Sequence, residues 1–230
     1  MFRGRIILAG MATMLVGVFA TVDAMADSYN LKYEVTITNL TAGQTFTPLL
    51  VATHSKRVTL FEPGGAAGTP LEMLAEAGDT APLTTLLLEK PYETADVQTV
   101  PGLLGPGQSV TVQVAATRHQ PYLSMAAMLI PTNDTFVGVD SVRLPLRSRT
   151  VTAQAYDAGT EANDQNCLNI PGPRCGGEGY SPGPNPGDEG HVHVSNGFHG
   201  LPPADIGEVL EPQTYDWRNP VARIVVRRLR

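Results

Sequence analysis

The sequence predicts an all-β protein of antiparallel strands with one or two short helices and long loops. Short runs alternate between apolar and polar residues, as in YEVTITN and SVTVQVA, and a period of two is typical of half-buried strands. Glycine, proline and asparagine separate these runs. Such punctuation favours an antiparallel sandwich or barrel over a fold that alternates strands and helices.

The strands are predicted from their side-chain pattern. In YEVTITN, Tyr33, Val35 and Ile37 are expected on the buried face, and in SVTVQVA three valines occupy the equivalent positions. Further β-branched runs predict strands at TFTPLLVA, RVTLF, TFVGV and ARIVV. These strands supply most of the expected core.

Helix is predicted only in the middle of the chain. Thr69 and Pro70 are suited to the first turn of a helix that continues through LEMLAEA, and Gly78 is suited to its end. The following PLTTLLLEK predicts a second short helix. Both are expected to cover one edge or end of the strands.

Residues 1–26 have the pattern of a secretory signal peptide. Arg3 and Arg5 precede an apolar run from Ile6 to Ala20, and the small-residue sequence Ala24, Met25, Ala26 follows. The alternative is a retained membrane anchor, for which this run is short. The mature protein is then expected to be a single domain of residues 27–230. This interpretation predicts export to the periplasm or secretion, and no later segment is apolar enough to span a membrane.

The charge of the chain argues against nucleic acid as a partner. The formal net charge is −6, and removal of the signal, with its two arginines and one aspartate, makes it one unit more negative. The basic residues Arg227, Arg228 and Arg230 form only a short terminal run. This is not the electrostatic footprint of a nucleic-acid-binding protein.

The two cysteines predict a local disulfide. Cys167 and Cys175 lie in a segment, residues 166–188, that is rich in proline and glycine and is expected to form a long loop. Export to an oxidising compartment favours a bond between the two thiols. Such a bridge orders the first half of the loop, and the core is stabilised by its own packing.

Acidic side chains gather between residues 131 and 164 and predict a calcium site. Asp134, Asp157 and Glu161 are the candidate ligands, with Asp140 and Asp164 nearby. All lie within two residues of Gly, Asn or Thr, which favour loops and strand ends, where carboxylate and carbonyl oxygens can converge on a hard cation. The alternative is that these acids serve only as turn residues.

A second candidate site lies in HVHVSNGFHG. His191, His193 and His199 together are suited to zinc or copper, and would make the protein a periplasmic transition-metal binder. The first two are expected on one face of a strand, with Val192 and Val194 on the other. The alternative interpretation places both imidazoles on the solvated face of an edge strand.

A catalytic function is the third possibility and the weakest. Ser195 lies near two of these histidines, but the G-x-S-x-G and H-E-x-x-H motifs are missing from the sequence. We therefore expect a protein that is not an enzyme. Trp217, which precedes the final strand, is expected to pack against the core.

The order of several segments resembles the spondin N-terminal domain family, of the F-spondin and mindin type. These segments are TFTPLLVATHSKRVTLFEPG, LAEAGDTAPL, LSMAAMLIPTNDTFVGVDSVRL, YDAGTE and NPVARIVVRRLR. The pair FVGVDS and YDAGTE is the most specific part of the resemblance. The chain resembles the exported bacterial members that consist of this domain alone.

The resemblance implies a C2-like β-sandwich that binds a divalent cation, usually calcium, through loops at one end. It implies Asp134 and Asp157 as ligands, and Glu161 stands where relatives often have a second aspartate. Animal members act in adhesion and in recognition of cell or microbial surfaces. The expected function is therefore binding or adhesion, with an extracytoplasmic protein or glycan as partner.

Overall fold

The computed structural model describes residues 30–198 and 210–230. The predicted signal peptide and His199 lie outside these ranges. The strands are β1 (Leu31–Asn39), β2 (Thr45–Phe46), β3 (Leu49–His54), β4 (Thr94–Val100), β5 (Ser109–Ala116), β6 (Tyr122–Ile130), β7 (Thr135–Arg143), β8 (Ser148–Asp157), β9 (His193–Val194) and β10 (Ala222–Arg228). The helices are α1 (Thr69–Ala77), α2 (Ala81–Leu88) and α3 (Pro212–Tyr215), with a 3-10 turn at Cys167–Asn169.

The all-β prediction is confirmed. The strands pair antiparallel in the order β4-β3-β6-β7-β8-β10-β1-β5, with β2 added to β6 and β9 added to β8. Strand β8 joins the two halves of this sheet, because residues 148–153 pair with β10 and residues 154–157 pair with β7. The halves face each other across the core as in a sandwich, and the sheet as a whole is nearly closed.

Side chains bridge the two ends of the sheet. On β4, the carboxylate of Asp96 accepts a hydrogen bond from the backbone N–H of Ala115 on β5, at 2.7 Å. On β3, the Thr53 hydroxyl donates to the Ala115 carbonyl oxygen at 2.5 Å. These bonds satisfy backbone groups at an edge that would otherwise be open to pairing with another chain.

The space inside the sheet is filled by the residues that the alternating runs predicted. Tyr33, Val35 and Ile37 of β1 are all buried, as are Val114 of β5 and Ile224 of β10. Strands β1 and β10 pair with Val35 opposite Val226 and Ile37 opposite Ile224. Cross-strand pairs of β-branched residues stabilise this part of the sheet.

A second core lies between the outer face of the sheet and the two helices. Leu71 and Leu74 of α1 and Leu83 and Leu87 of α2 pack with buried residues of β3, β6 and β7. Helix α1 ends as predicted, since Gly78 has the left-handed conformation, with φ of 68°. Strand β6 is buried on both faces, which explains why its residues after Tyr122 are all apolar except Ser124.

The prediction of a strand at RVTLF is wrong. Residues 57–61 have irregular backbone, although Val58, Leu60 and Phe61 are all buried in the second core. The N–H of Leu60 donates to the Asp140 carboxylate at 2.8 Å instead of to a neighbouring strand. Their apolar character therefore reflects burial, which an irregular segment achieves here as well as a strand.

The disulfide and the long loop are confirmed. Cys167 and Cys175 are bonded, and the rest of residues 166–188 has neither helix nor strand beyond the 3-10 turn. Ile170 is buried, with 1% of its surface exposed. The loop is thus anchored by its first half, as expected from the position of the bridge.

Gly138 of the FVGVDS motif is required by close packing. A Cβ atom at this position would lie 2.7 Å from Cε1 of Phe61, and the Phe61 ring is itself packed against Phe136 and Tyr156, with centroids 5.0 and 4.9 Å away. We expect Gly138→Ala to lower the free energy of unfolding by about 1 to 3 kcal/mol, the usual cost of overpacking. Urea unfolding measures this change.

Gly179→Ala is the matched control. The nearest atom to a Cβ there is Ala77 Cβ at 3.7 Å, an ordinary contact. A loss of stability as large in this control as in Gly138→Ala would contradict the packing explanation.

Candidate metal site and its surroundings

Two of the predicted ligands meet at one end of the sheet. Asp134 lies directly before β7 and Asp157 is the last residue of β8, and the register of these strands places Thr135 opposite Asp157. The Ala158 N–H also donates to the Asp134 carbonyl oxygen at 3.1 Å. Antiparallel pairing therefore brings two carboxylates together that lie 23 positions apart in the sequence.

Asp134 is fully buried, and only one of its two carboxylate oxygens has hydrogen-bond partners among the described residues. Its Oδ2 accepts hydrogen bonds from the backbone N–H groups of Thr160 and Glu161, at 2.8 and 3.1 Å. Its Oδ1 is buried and has no hydrogen-bond partner among the described residues. Burial, followed by the charge of Asp157, raises the pKa of the Asp134 carboxyl well above its usual range.

Asp157 is equally inaccessible, with 1% of its surface exposed. Its Oδ1 accepts a hydrogen bond from the Gly159 N–H at 2.9 Å. Burial raises the pKa of this carboxyl, while a hydrogen bond from the Asn163 side chain and the nearby His193 act in the opposite direction. The two aspartates thus form a buried pair in which each destabilises the charged form of the other.

The turn after Asp157 depends on glycine. Gly159 of YDAG has φ of +68°, and a Cβ there would lie 2.3 Å from the His191 carbonyl oxygen. Only glycine suits both the left-handed backbone and this close approach. The turn in this way brings Thr160 and Glu161 back to the Asp134 carboxylate.

Glu161 contributes its backbone to Asp134 but directs its carboxylate elsewhere. Its Oε1 accepts a hydrogen bond from the Ser181 hydroxyl at 2.6 Å, whereas Oε2 is buried and has no partner within the described ranges. Burial raises the pKa of this carboxyl. The structure therefore pairs Asp134 with Asp157 more closely than either with the Glu161 side chain.

Two glutamates of α1, Glu72 and Glu76, bond the same loop as Glu161 and were not predicted from the sequence. Glu76 Oε2 accepts from the Ser181 N–H and Glu72 Oε1 accepts from the Gly183 N–H, both at 2.9 Å. Glu76 is fully buried, and this burial raises its pKa to about 7. The available signal was LEMLAEA, in which these glutamates share the helix face of buried leucines.

His191 and His193 lie next to each other but differ in their surroundings. The rings of His191 and His193 lie 5.4 Å apart between centroids. His191 is exposed, whereas His193 Nε2 lies 3.4 Å from Asp157 Oδ1 and 3.9 Å from Glu189 Oε2. The predicted alternation is wrong for the valines, because Val192 is buried and Val194 is 48% exposed at the short edge strand β9.

The other residues singled out by sequence have structural partners. The Ser195 hydroxyl lies 3.2 Å from the Thr135 hydroxyl. Asp140 accepts from the Leu60 N–H, and Asp164 accepts from the Asn166 N–H. Trp217 is buried against the core, as expected, with its ring 5.5 Å from that of Phe198.

Comparison with known protein families identifies the domain. Residues 32–165 match the model of the Spondin_N family, which covers more than half of the chain and includes Asp134, Asp157 and Glu161. The protein belongs to the spondin N-terminal domain family. No curated protein matches the chain.

Membership of the spondin family indicates an extracellular binding or adhesion type of module. The disulfide is consistent with export. In the described parts of the chain, each helix is too short or too polar to cross a membrane. The match ends at residue 165, so Glu189 and His193 lie outside the matched residues.

The buried Glu76 carboxyl predicts a pH dependence of stability. Its folded-state pKa is about 7 and its ordinary value is 4.5, so its contribution is fully present below pH 4.5 and is lost as the pH rises through about 7. We expect the free energy of unfolding in excess EGTA to fall from about pH 5 to about pH 8. Urea unfolding should show a smaller fall for Glu76→Gln.

The matched control is Glu89→Gln, at an exposed position directly after α2. This variant should retain the pH dependence of the wild type. If Glu76→Gln also retains it in full, the Glu76 carboxyl is not the titrating group.

Proposed function

We propose that this spondin domain is an exported binding or adhesion module that holds Ca²⁺ through Asp134 and Asp157. The observation that carries the proposal is Asp134 Oδ1, a carboxylate oxygen that is buried beside a second carboxylate and lacks a hydrogen-bond partner among the described residues. Buried charged groups are normally paired or bound to metal. A bound cation would supply the positively charged partner that this carboxylate oxygen lacks.

The chemistry of the available donors fits calcium. Ca²⁺ takes six to eight oxygen ligands, and carboxylates are the commonest charged ones. Asp134 and Asp157 supply such oxygens, and Glu161 adds the unpartnered Oε2. The Gly159 N–H donates to Asp157 Oδ1 at 2.9 Å, which holds one carboxylate of the pair in place.

Calcium would act electrostatically in this proposal. When bound, it would offset the repulsion between Asp134 and Asp157 that otherwise favours protonation. The protein's own contribution is to hold the loop of residues 158–161 against the start of β7, through the N–H groups of Thr160 and Glu161. The same two strands therefore present an ordered loop surface to a partner.

Binding, and not catalysis, is the activity proposed for this surface. The hydroxyl of Ser195 is engaged with Thr135, and family membership indicates a binding module. The partner class we propose is an extracytoplasmic protein or glycan, met in the periplasm or outside the cell. The loops around Asp157 are the surface that such a partner would contact.

The first test is the response of thermal stability to calcium. At a free concentration of about 100 times its dissociation constant, Ca²⁺ should stabilise the fold by about 2.7 kcal/mol, which raises the unfolding midpoint by about 5 to 10 °C in a protein of this size. Excess EGTA should reverse the shift. Differential scanning calorimetry measures both.

Two variants locate the effect. Asp134→Asn should lose the calcium response without a loss of stability in EGTA, because it removes a buried charge and keeps the shape. Asp140→Asn, within β7, is the matched control: its carboxylate oxygens accept from Leu60 and Ser141, so it should lose stability but keep the response. An unchanged wild-type midpoint, with no bound metal by elemental analysis, rejects the proposal.

A further inference from the structure

Three metal-binding side chains converge beside the proposed calcium ligands. One ligand atom from each of Asp157, Glu189 and His193 lies within 4.8 Å of the other two. His193 Nε2 is 3.4 Å from Asp157 Oδ1 and 3.9 Å from Glu189 Oε2. Asp157 is the last residue of β8, Glu189 directly follows the long loop and His193 is the first residue of β9.

The tautomer of His193 is indicated by its other ring nitrogen. Nδ1 lies 3.2 Å from the carbonyl oxygen of Val194, and because a carbonyl only accepts, Nδ1 is the nitrogen that carries hydrogen. In the neutral ring Nε2 then presents a lone pair. This is the arrangement in which a backbone carbonyl orients a metal-binding histidine.

The three facing atoms are all acceptors. When the ring is neutral and the carboxylates are ionised, none of the three atoms has a hydrogen to donate. Nε2 is buried and makes no hydrogen bond with any described residue. Such a group needs a positive charge between its members, which is either a proton on one of the three atoms or a metal ion.

We propose that Asp157, Glu189 and His193 form a Zn²⁺ site. Zinc binds histidine nitrogen and carboxylate oxygen at 2.0 to 2.2 Å in tetrahedral geometry, so neighbouring ligand atoms lie about 3.4 Å apart. The distance from Nε2 to Asp157 Oδ1 equals this spacing, and that to Glu189 Oε2 exceeds it by about half an ångström. Imidazole nitrogen suits zinc better than calcium, which takes oxygen ligands.

Each carboxylate is held by a neighbouring amide. Asn163 Nδ2 donates to Glu189 Oε1 at 2.9 Å, which leaves Oε2 for the metal, and the backbone N–H of Gly159 donates to Asp157 Oδ1 at 2.9 Å. The side chains of His193 and Glu189 are 25% and 30% exposed. Zinc therefore has a path from solution to a set of ligands that is already oriented.

This site is distinct from the proposed calcium site, although the two share Asp157. Glu189 and His193 lie outside the residues that match the spondin family. Asp134 takes no part in the zinc site, so loss of calcium binding in Asp134→Asn leaves the zinc ligands intact. The two proposals can thus fail separately.

The test is isothermal titration of ZnCl₂ into the untagged, metal-stripped protein near neutral pH. Wild type and Asp134→Asn should bind one equivalent of zinc with similar affinity. His193→Ala and Glu189→Gln should each weaken that binding by at least about tenfold. His191→Ala is the matched control, since His191 bonds the Glu189 carbonyl oxygen, and it should change the affinity by less than about threefold.

Cobalt gives a second readout that does not depend on heat of binding. Co²⁺ in the wild type and in His191→Ala should show the d–d absorption of a tetrahedral site, and His193→Ala should lose it while retaining the wild-type circular dichroism. Equal loss of zinc binding in His191→Ala and His193→Ala would overturn the proposal in favour of the imidazole pair. The proposal would also be overturned if ¹⁵N NMR of the wild type in excess zinc showed a proton on His193 Nε2.

Discussion

The burial of Asp134 is the constraint on which the functional end of this protein depends. Two backbone N–H groups from the loop after β8 hold one carboxylate oxygen, while the other has no hydrogen-bond partner in the described structure. Placing an unpaired charge in the interior is costly. The loop, the start of β7 and the end of β8 are therefore joined by an interaction that is complete only when the charge is neutralised by a proton or a cation.

The rest of the fold makes this burial possible. A nearly closed sheet with a filled interior holds β7 and β8 side by side, and two helices cover its outer face. Helix α1 then contributes Glu72 and Glu76 to the same end, where they accept hydrogen bonds from the long loop. Carboxylates thus tie loops to the sheet and helix at several points. The strength of each of these hydrogen bonds depends on the surrounding charge, which a bound cation would change.

The candidate site could be predicted from sequence only in part. Asp134 and Asp157 were found because each lies in a segment that resembles the family, Asp134 in the Pro-x-x-Asp loop before FVGVDS and Asp157 in YDAG. Glu161 was found too, but its side chain bonds Ser181, from a loop whose path no local pattern reveals. Glu72, Glu76 and Glu189 escaped detection because their significance arises from contacts with residues far away in the chain.

The sequence by itself determined the local structure of this protein. Alternation of apolar and polar residues identifies β1 and β5, and Pro70 and Gly78 delimit α1, because these signals act through neighbouring backbone and side chains. It did not distinguish the irregular, buried residues 57–61 from a strand, since burial alone produces the same apolar pattern. Only the tertiary structure decided which carboxylates meet and which oxygens are left without partners, because strand register and loop path depend on packing across the whole chain.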